Sequence, residues 1–140
     1  NATFYTFPFD IEIKNHSDKA QDKKVTDIVL GVIQKCQADS RVLISSFNHD
    51  YLVIAKSLAP HISTGALQEG DHPPDLIQYL RSLQVSAYHP ADNISDSVLI
   101  KELRSAGLGV NIYTVNDKRR QKDLVDMGAT AVFTDYPSLL

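Results

Sequence analysis

Six short apolar runs recur along this chain, and amphipathic stretches separate them. The runs are Phe9–Lys14, Arg41–Phe47, Ile62–Leu67, Val85–His89, Gly109–Val115 and Thr130–Thr134. Several are apolar on both faces, which is what a strand needs when helices cover its sheet. Between the first two, Val25, Ile28, Val29, Val32, Ile33 and Cys36 recur at the spacing of one helical face. That periodicity predicts that this face is buried against the strand carrying Ile11 and Ile13, with Cys36 as a small core residue. Leu76, Ile77, Leu80 and Leu83 repeat the pattern on a shorter scale. Asn48, Asp75, Ser95 and Asp117 stand where N-caps are expected, and Gly107 and Gly128 where helices end.

A strand–helix alternation of this kind demands right-handed crossovers and a parallel sheet. Successive strands begin about 20 to 32 residues apart, the size of one βα unit. A complete eight-stranded barrel needs roughly 200 residues or more. The chain has 140, so two architectures fit: about six βα units of a partial TIM barrel, or an open doubly wound sheet. Pattern alone does not separate them. No linker or composition break divides residues 1–140, which read as a single domain.

Composition narrows the function classes. A formal net charge of −3 gives no electrostatic case for nucleic acid or an anionic membrane. No stretch approaches the ~18 apolar residues of a transmembrane segment. Cys36 is the one cysteine, which removes cysteine metal clusters and intrachain disulfides.

The hexapeptide Phe9-Asp-Ile-Glu-Ile-Lys14 carries the most chemistry. Strand alternation places Asp10, Glu12 and Lys14 on one face and Ile11 and Ile13 on the other. Three ionisable groups on one strand face need pairing, water or a cation. Glu12 on a metal and Lys14 on a phosphoryl oxygen would satisfy that need. A structural Glu–Lys pair would satisfy it equally. His89 closes a strand just before Pro90, at the end where parallel sheets build their sites, and there a structural histidine is the competing reading. His16, His49, His61 and His72 lie in polar surroundings and read as surface residues. None of the five histidines forms an H-x-x-x-H pair, and no glycine-rich phosphate loop or G-x-S-x-G elbow occurs.

Taken in order, Ile11-Glu-Ile-Lys14, Ser45-Ser-Phe-Asn-His49, His89-Pro90, Tyr113-Thr-Val-Asn116, Gly128 and Thr134-Asp-Tyr-Pro137 resemble the glycerophosphodiester phosphodiesterases, matching that family's strands three through eight. The resemblance favours the barrel. It implies a metal-assisted hydrolase that splits a small-molecule glycerophosphodiester into glycerol 3-phosphate and an alcohol, with calcium or magnesium as cofactor. Residue by residue, it assigns Glu12 to the metal and Lys14 to the phosphate. Tyr113 stands where the family usually has tryptophan, and Phe47 and His89 shape the same rim. The family's catalytic histidines belong to a segment ahead of the strands matched here, and Asn1–Pro8 contains no His, Glu or Asp. The resemblance therefore leads to two expectations. The chain is inactive alone and carries open sheet edges through which it could self-associate, or it is a non-catalytic remnant or binding module of the same fold.

Overall fold

The structure, a computed structural model, describes residues 9–16 and 18–137. Six strands, β1 (Phe9–Glu12), β2 (Val42–Ser46), β3 (Ser63–Gln68), β4 (Ala87–Pro90), β5 (Gly109–Ile112) and β6 (Ala131–Val132), form one sheet in strict sequence order. Every pairing is parallel. Helices α1 (Asp22–Lys35), α2 (Asp50–Leu58), α3 (Leu76–Ser82), α4 (Ser97–Ser105) and α5 (Lys118–Asp126) fill the crossovers. No helix among the described residues is long and apolar enough to cross a membrane.

Two features decide between the architectures. A doubly wound sheet reverses its strand order at a switch point, and this sheet does not. On a flat sheet, β1 and β4 would lie about 14 Å apart. Yet His89 Nδ1 on β4 comes within 3.6 Å of Asp10 Oδ2 on β1. The sheet is curled into an open half-barrel. Its outer face supplies Ile13, Ile44, Ala66, Tyr88, Val110 and Ile112 to a core closed by Leu30, Leu52, Leu80, Ile100, Leu103 and Leu124 from the five helices. Among the described residues, β1 pairs with β2 alone and β6 with β5 alone, which leaves both sheet edges unpaired.

The phase of α1 differs from the sequence expectation. Ile33 is buried and Val25 and Val29 pack against the core, but Ile28 and Val32 are each 57% exposed. The buried stripe runs through Asp22, Thr26, Leu30 and Ile33 instead. Two of those residues are polar, and their hydrogen bonds permit the burial. Thr26 Oγ1 donates to the Asp22 carbonyl at 2.8 Å, and Asp22 Oδ1 accepts from the Tyr51 hydroxyl at 2.7 Å. Cys36 is exposed at the end of the helix, outside the core.

All four long-range helix stops share one geometry. The N–H groups of Ala38, Val85, Leu108 and Ala129 each reach back five residues, to the carbonyls of Ile33, Leu80, Leu103 and Leu124. The residue before each has positive φ: Gln37, Gln84, Gly107 and Gly128. These are Schellman closures; the two glycines were legible as stops, and the two glutamines were not. At the starts, Asp117 caps α5 through Arg120 N at 2.7 Å, as expected. The cap of α4 is Asp96, which accepts from Leu99 N, while Ser95 turns its hydroxyl to the Ala91 carbonyl. Asp75 precedes α3 in the left-handed region without capping it. Asn48 Oδ1 accepts from Asp50 N, one residue ahead of the formal α2 cap.

Candidate active site

Parallel strands deliver their C-terminal ends to one rim, so the residues at and just beyond those ends define a common mouth. Glu12 closes β1, Phe47 follows β2, and Tyr113 follows β5. The Phe47 and Tyr113 rings meet edge-on, with centroids 5.7 Å apart at 89°. The Tyr113 hydroxyl donates to the Gln68 carbonyl at the end of β3, at 2.7 Å. Its pKa is pushed up to about 12, first by burial and then by the negative charges of Glu69 and Glu12. Phe47 and Tyr113 are thus in contact, and the charges of Glu69 and Glu12 reach Tyr113. Phe47 remains 45% exposed there, available to a ligand.

β1 ends at Glu12, and Lys14 lies in the exposed segment beyond it. That segment is drawn toward α2: Asn15 accepts from Asn48 Nδ2 at 2.9 Å, and His16 N donates to the Tyr51 hydroxyl at 3.2 Å. Among the described residues no Glu12–Lys14 ion pair is formed, so the structural-pair reading of the hexapeptide loses its support.

His89 lies below the rim. It is fully buried inside the half-barrel and touches no open surface. Asn111 Nδ2 contacts its Nε2 at 3.0 Å, and the Phe133 ring packs against it at 5.6 Å. Burial lowers its pKa to about 4, so the ring is neutral near pH 7. Asp10 faces it from β1; its pKa is raised chiefly by burial and further by Glu12, while Ser45 works the other way. Composition and spacing singled out neither Asn111 nor Ser45. The signal was a polar residue on the inner face of an otherwise apolar strand, as in Gly109-Val-Asn-Ile112.

His49 and His72 are corrections to the surface reading. His49 Nε2 donates to the Leu67 carbonyl at 2.8 Å, and its Nδ1 accepts from the Tyr79 hydroxyl at 2.6 Å. His72 repeats the arrangement with the Ile94 carbonyl and the Tyr88 hydroxyl, both at 2.9 Å. Each ties a loop to the strand or helix behind it. His16 is exposed, and His61 is exposed with Asp39 Oδ2 at 2.9 Å.

A hard divalent cation would find oxygen donors of the right chemistry in Glu12 and Asp10. Among the described residues, though, no group of three or more His, Cys, Asp or Glu side chains gathers to hold one. The set fits such an ion only in part. An outer groove between α3 and α4, lined by Leu76, Ile77, Arg81, Leu99, Glu102 and Leu103, lies away from the mouth.

A sequentially ordered, parallel, curled sheet with helices in every crossover defines part of a (β/α) barrel. Comparison with known proteins narrows this. The model of the glycerophosphoryl diester phosphodiesterase family matches residues 5–139. Protein YqiK of Bacillus subtilis (strain 168) is 35% identical over 134 residues, covering 94% of this chain and 54% of the relative. A glycerophosphodiester phosphodiesterase of Bacillus altitudinis is 32% identical over 137 residues, with the same shares covered. The structure of an Oleispira antarctica phosphodiesterase in complex with the product sn-glycerol-3-phosphate superposes with a TM-score of 0.81 at 26% identity, covering 94% of this chain and 53% of that one. The chain belongs to the glycerophosphoryl diester phosphodiesterase family. It spans about half the length of the curated relatives it matches.

Proposed function

We propose that these residues form the C-terminal half of a phosphoric diester hydrolase that converts a glycerophosphodiester to glycerol 3-phosphate and an alcohol. The observation that supports this reading is the Phe47–Tyr113 contact at the C-terminal rim where Glu12 ends β1, in a half-barrel belonging to this family. The complex of the Oleispira relative with sn-glycerol-3-phosphate supports a small phosphate-bearing ligand. When bound, a calcium or magnesium ion supplies charge neutralisation to the diester, and Glu12 contributes one of its oxygen ligands. Phe47 and Tyr113 wall the glycerol side, where the tyrosine offers an apolar ring face and its hydroxyl is already engaged. Lys14 is the phosphate partner on this reading, which requires its exposed side chain to turn toward the mouth. His89 acts from beneath.

Proton transfer at the diester needs groups that the described residues do not supply at the mouth, so the 140 residues alone are expected to be inactive. The test is release of glycerol 3-phosphate from glycerophosphocholine with calcium or magnesium. The 140-residue chain should match a buffer control. The chain joined to a first segment of the barrel, which the family resemblance places ahead of these residues, should turn over. Turnover by the 140 residues alone would overturn the division of labour; none from the joined chain would overturn the diesterase reading. The open β1 and β6 edges and the exposed Ile28 and Val32 favour a second reading, a module that binds a partner or a second copy. A concentration-dependent dimer in sedimentation that dissociates on Ile28→Lys would support it.

A further inference from the structure

We infer that His89 is a positioning residue, a strut across the inside of the half-barrel that fixes where β1 presents Asp10 and Glu12. The use made of Glu12 rests on the diesterase reading; the strut itself does not.

The geometry begins with a missing side chain. A methyl group at Gly65 in β3 would come within 2.4 Å of His89 Nε2 and 2.8 Å of its Cε1. Only glycine lets the imidazole lie across β3. The ring therefore reaches from β4 over β3, with Asn111 of β5 at one nitrogen and Asp10 of β1 facing the other. An amide nitrogen can only donate, so the 3.0 Å contact from Asn111 Nδ2 makes His89 Nε2 the acceptor. The proton then resides on Nδ1, directed at Asp10 Oδ2 3.6 Å away. His89 Nδ1, Ser45 Oγ and Asn111 Oδ1 are all buried without a complete hydrogen bond among the described residues. Barrel interiors are ordinarily filled by branched apolar side chains, and a polar layer of this kind is costly unless it serves a purpose.

The purpose follows from the place of β1. Among the described residues its backbone hydrogen bonds go to β2. Asp10 and Glu12 share its inner face. An Nδ1–H facing Asp10 across the half-barrel gives β1 a second hold. Because Glu12 is two residues further along the same face, the hold sets its direction into the mouth. Phe133 packs on the ring and keeps it from swinging toward β6.

The test is the tautomer of His89, read by long-range 1H–15N correlation on protein with 15N-labelled histidine at pH 7. His49 and His72 are internal controls, since their carbonyl partners require the opposite, Nε2–H form. His89 is expected to give the Nδ1–H pattern, with cross-peaks from its ring to Asp10 or Ser45. Asn111→Leu should move it toward a tautomer mixture. Gly65→Ala should remove the cross-peaks to β1 while the His49 and His72 patterns stay unchanged. His89→Gln should shift the Glu12 and Tyr113 resonances more than those of the outer core, which a merely structural residue would not do. An Nε2–H pattern for His89, or Glu12 and Tyr113 resonances indifferent to His89→Gln, would overturn the inference. If Gly65→Ala does not fold, the unsubstituted protein and Asn111→Leu still decide. A strut seen by these signals beside an inactive joined chain would remove the diesterase reading and leave the strut standing.

Discussion

Asn116 binds Asp135 through both ends of its amide: Nδ2 donates to Oδ2 at 3.0 Å, and Oδ1 accepts from the Asp135 backbone N–H at 3.0 Å. Its Oδ1 also accepts from the Thr134 hydroxyl at 3.1 Å. One side chain thus joins the segment after β5 to the segment after β6, which explains physically why Tyr113-Thr-Val-Asn116 and Thr134-Asp-Tyr-Pro137 occur together. The bonds are exposed, so each contributes modestly. Asn116→Ala should cost about 1 kcal/mol. The larger effect should be local, as faster amide exchange at Asp135 and Tyr136 with the exchange of β2 and β3 unchanged.

Gln37 and Gln84 hold φ of 52° and 56° at positions where α4 and α5 use glycine. A left-handed residue other than glycine costs about 1–2 kcal/mol, and glycine returns part of that gain through its looser unfolded chain. Gln37→Gly and Gln84→Gly should each stabilise the protein by about 0.5–1 kcal/mol. The two should add, because they end different helices. Urea denaturation of the single and double variants checks this, and a loss of stability in either would show that the closure is not strained.

His49→Ala leaves the Leu67 carbonyl and the Tyr79 hydroxyl without their partner. Groups stranded in this way cost about 1–3 kcal/mol, and His72→Ala should cost a similar amount for the Ile94 carbonyl and Tyr88 hydroxyl. His16→Ala, at an exposed side chain, should change little. Equal denaturation midpoints for all three would return His49 and His72 to the surface class.

Burial lowers the His89 pKa to about 4, against an ordinary value of 6.5. Between those values the unfolded chain binds a proton that the folded chain refuses, so stability rises with pH across the window. The contribution is complete above pH ~6.5 and is lost as pH falls toward about 4. Its full size is on the order of 3 kcal/mol. Asp10 runs the other way, since a carboxyl with a raised pKa favours the folded state as pH falls. Unfolding free energies measured from pH 7 to pH 4 should therefore fall less steeply in His89→Gln than in the unsubstituted protein. Parallel slopes would mean that His89 takes up its proton in the folded state.

The alternation of apolar runs and amphipathic stretches was enough to place six parallel strands, because period and length are local properties of the chain. The phase of α1 was not legible. Val25, Ile28, Val29, Leu30, Val32 and Ile33 make that helix apolar nearly all round, and what selects its buried face is a long-range bond from the Tyr51 hydroxyl to Asp22. Glu12, Phe47 and Tyr113 stand at or just beyond strand ends, as strand length and alternation placed them. The layer beneath them was not legible, since it depends on Gly65 making room for a ring three strands from Asp10.

Glu12→Gln is the sharpest test of the site. The substitution keeps the volume and hydrogen-bonding capacity of the side chain and removes its charge. In the joined chain it should abolish metal-dependent release of glycerol 3-phosphate, a loss of at least a hundredfold (about 2.7 kcal/mol of transition-state stabilisation). The fold should survive, because Glu12 is exposed at a strand end and makes no ion pair with a described residue. Loss of its charge should also lower the raised pKa of Tyr113, to which it contributes after burial and Glu69. A spectroscopic titration of the phenol reads that shift without any turnover. Lys14→Met, which keeps much of the stem and loses the ammonium, should instead raise KM with a smaller effect on kcat. An unchanged rate and metal dependence in Glu12→Gln, with the Tyr113 titration shifted as expected, would show that Glu12 faces the mouth without holding the metal, and the carboxylate would have to be sought outside β1.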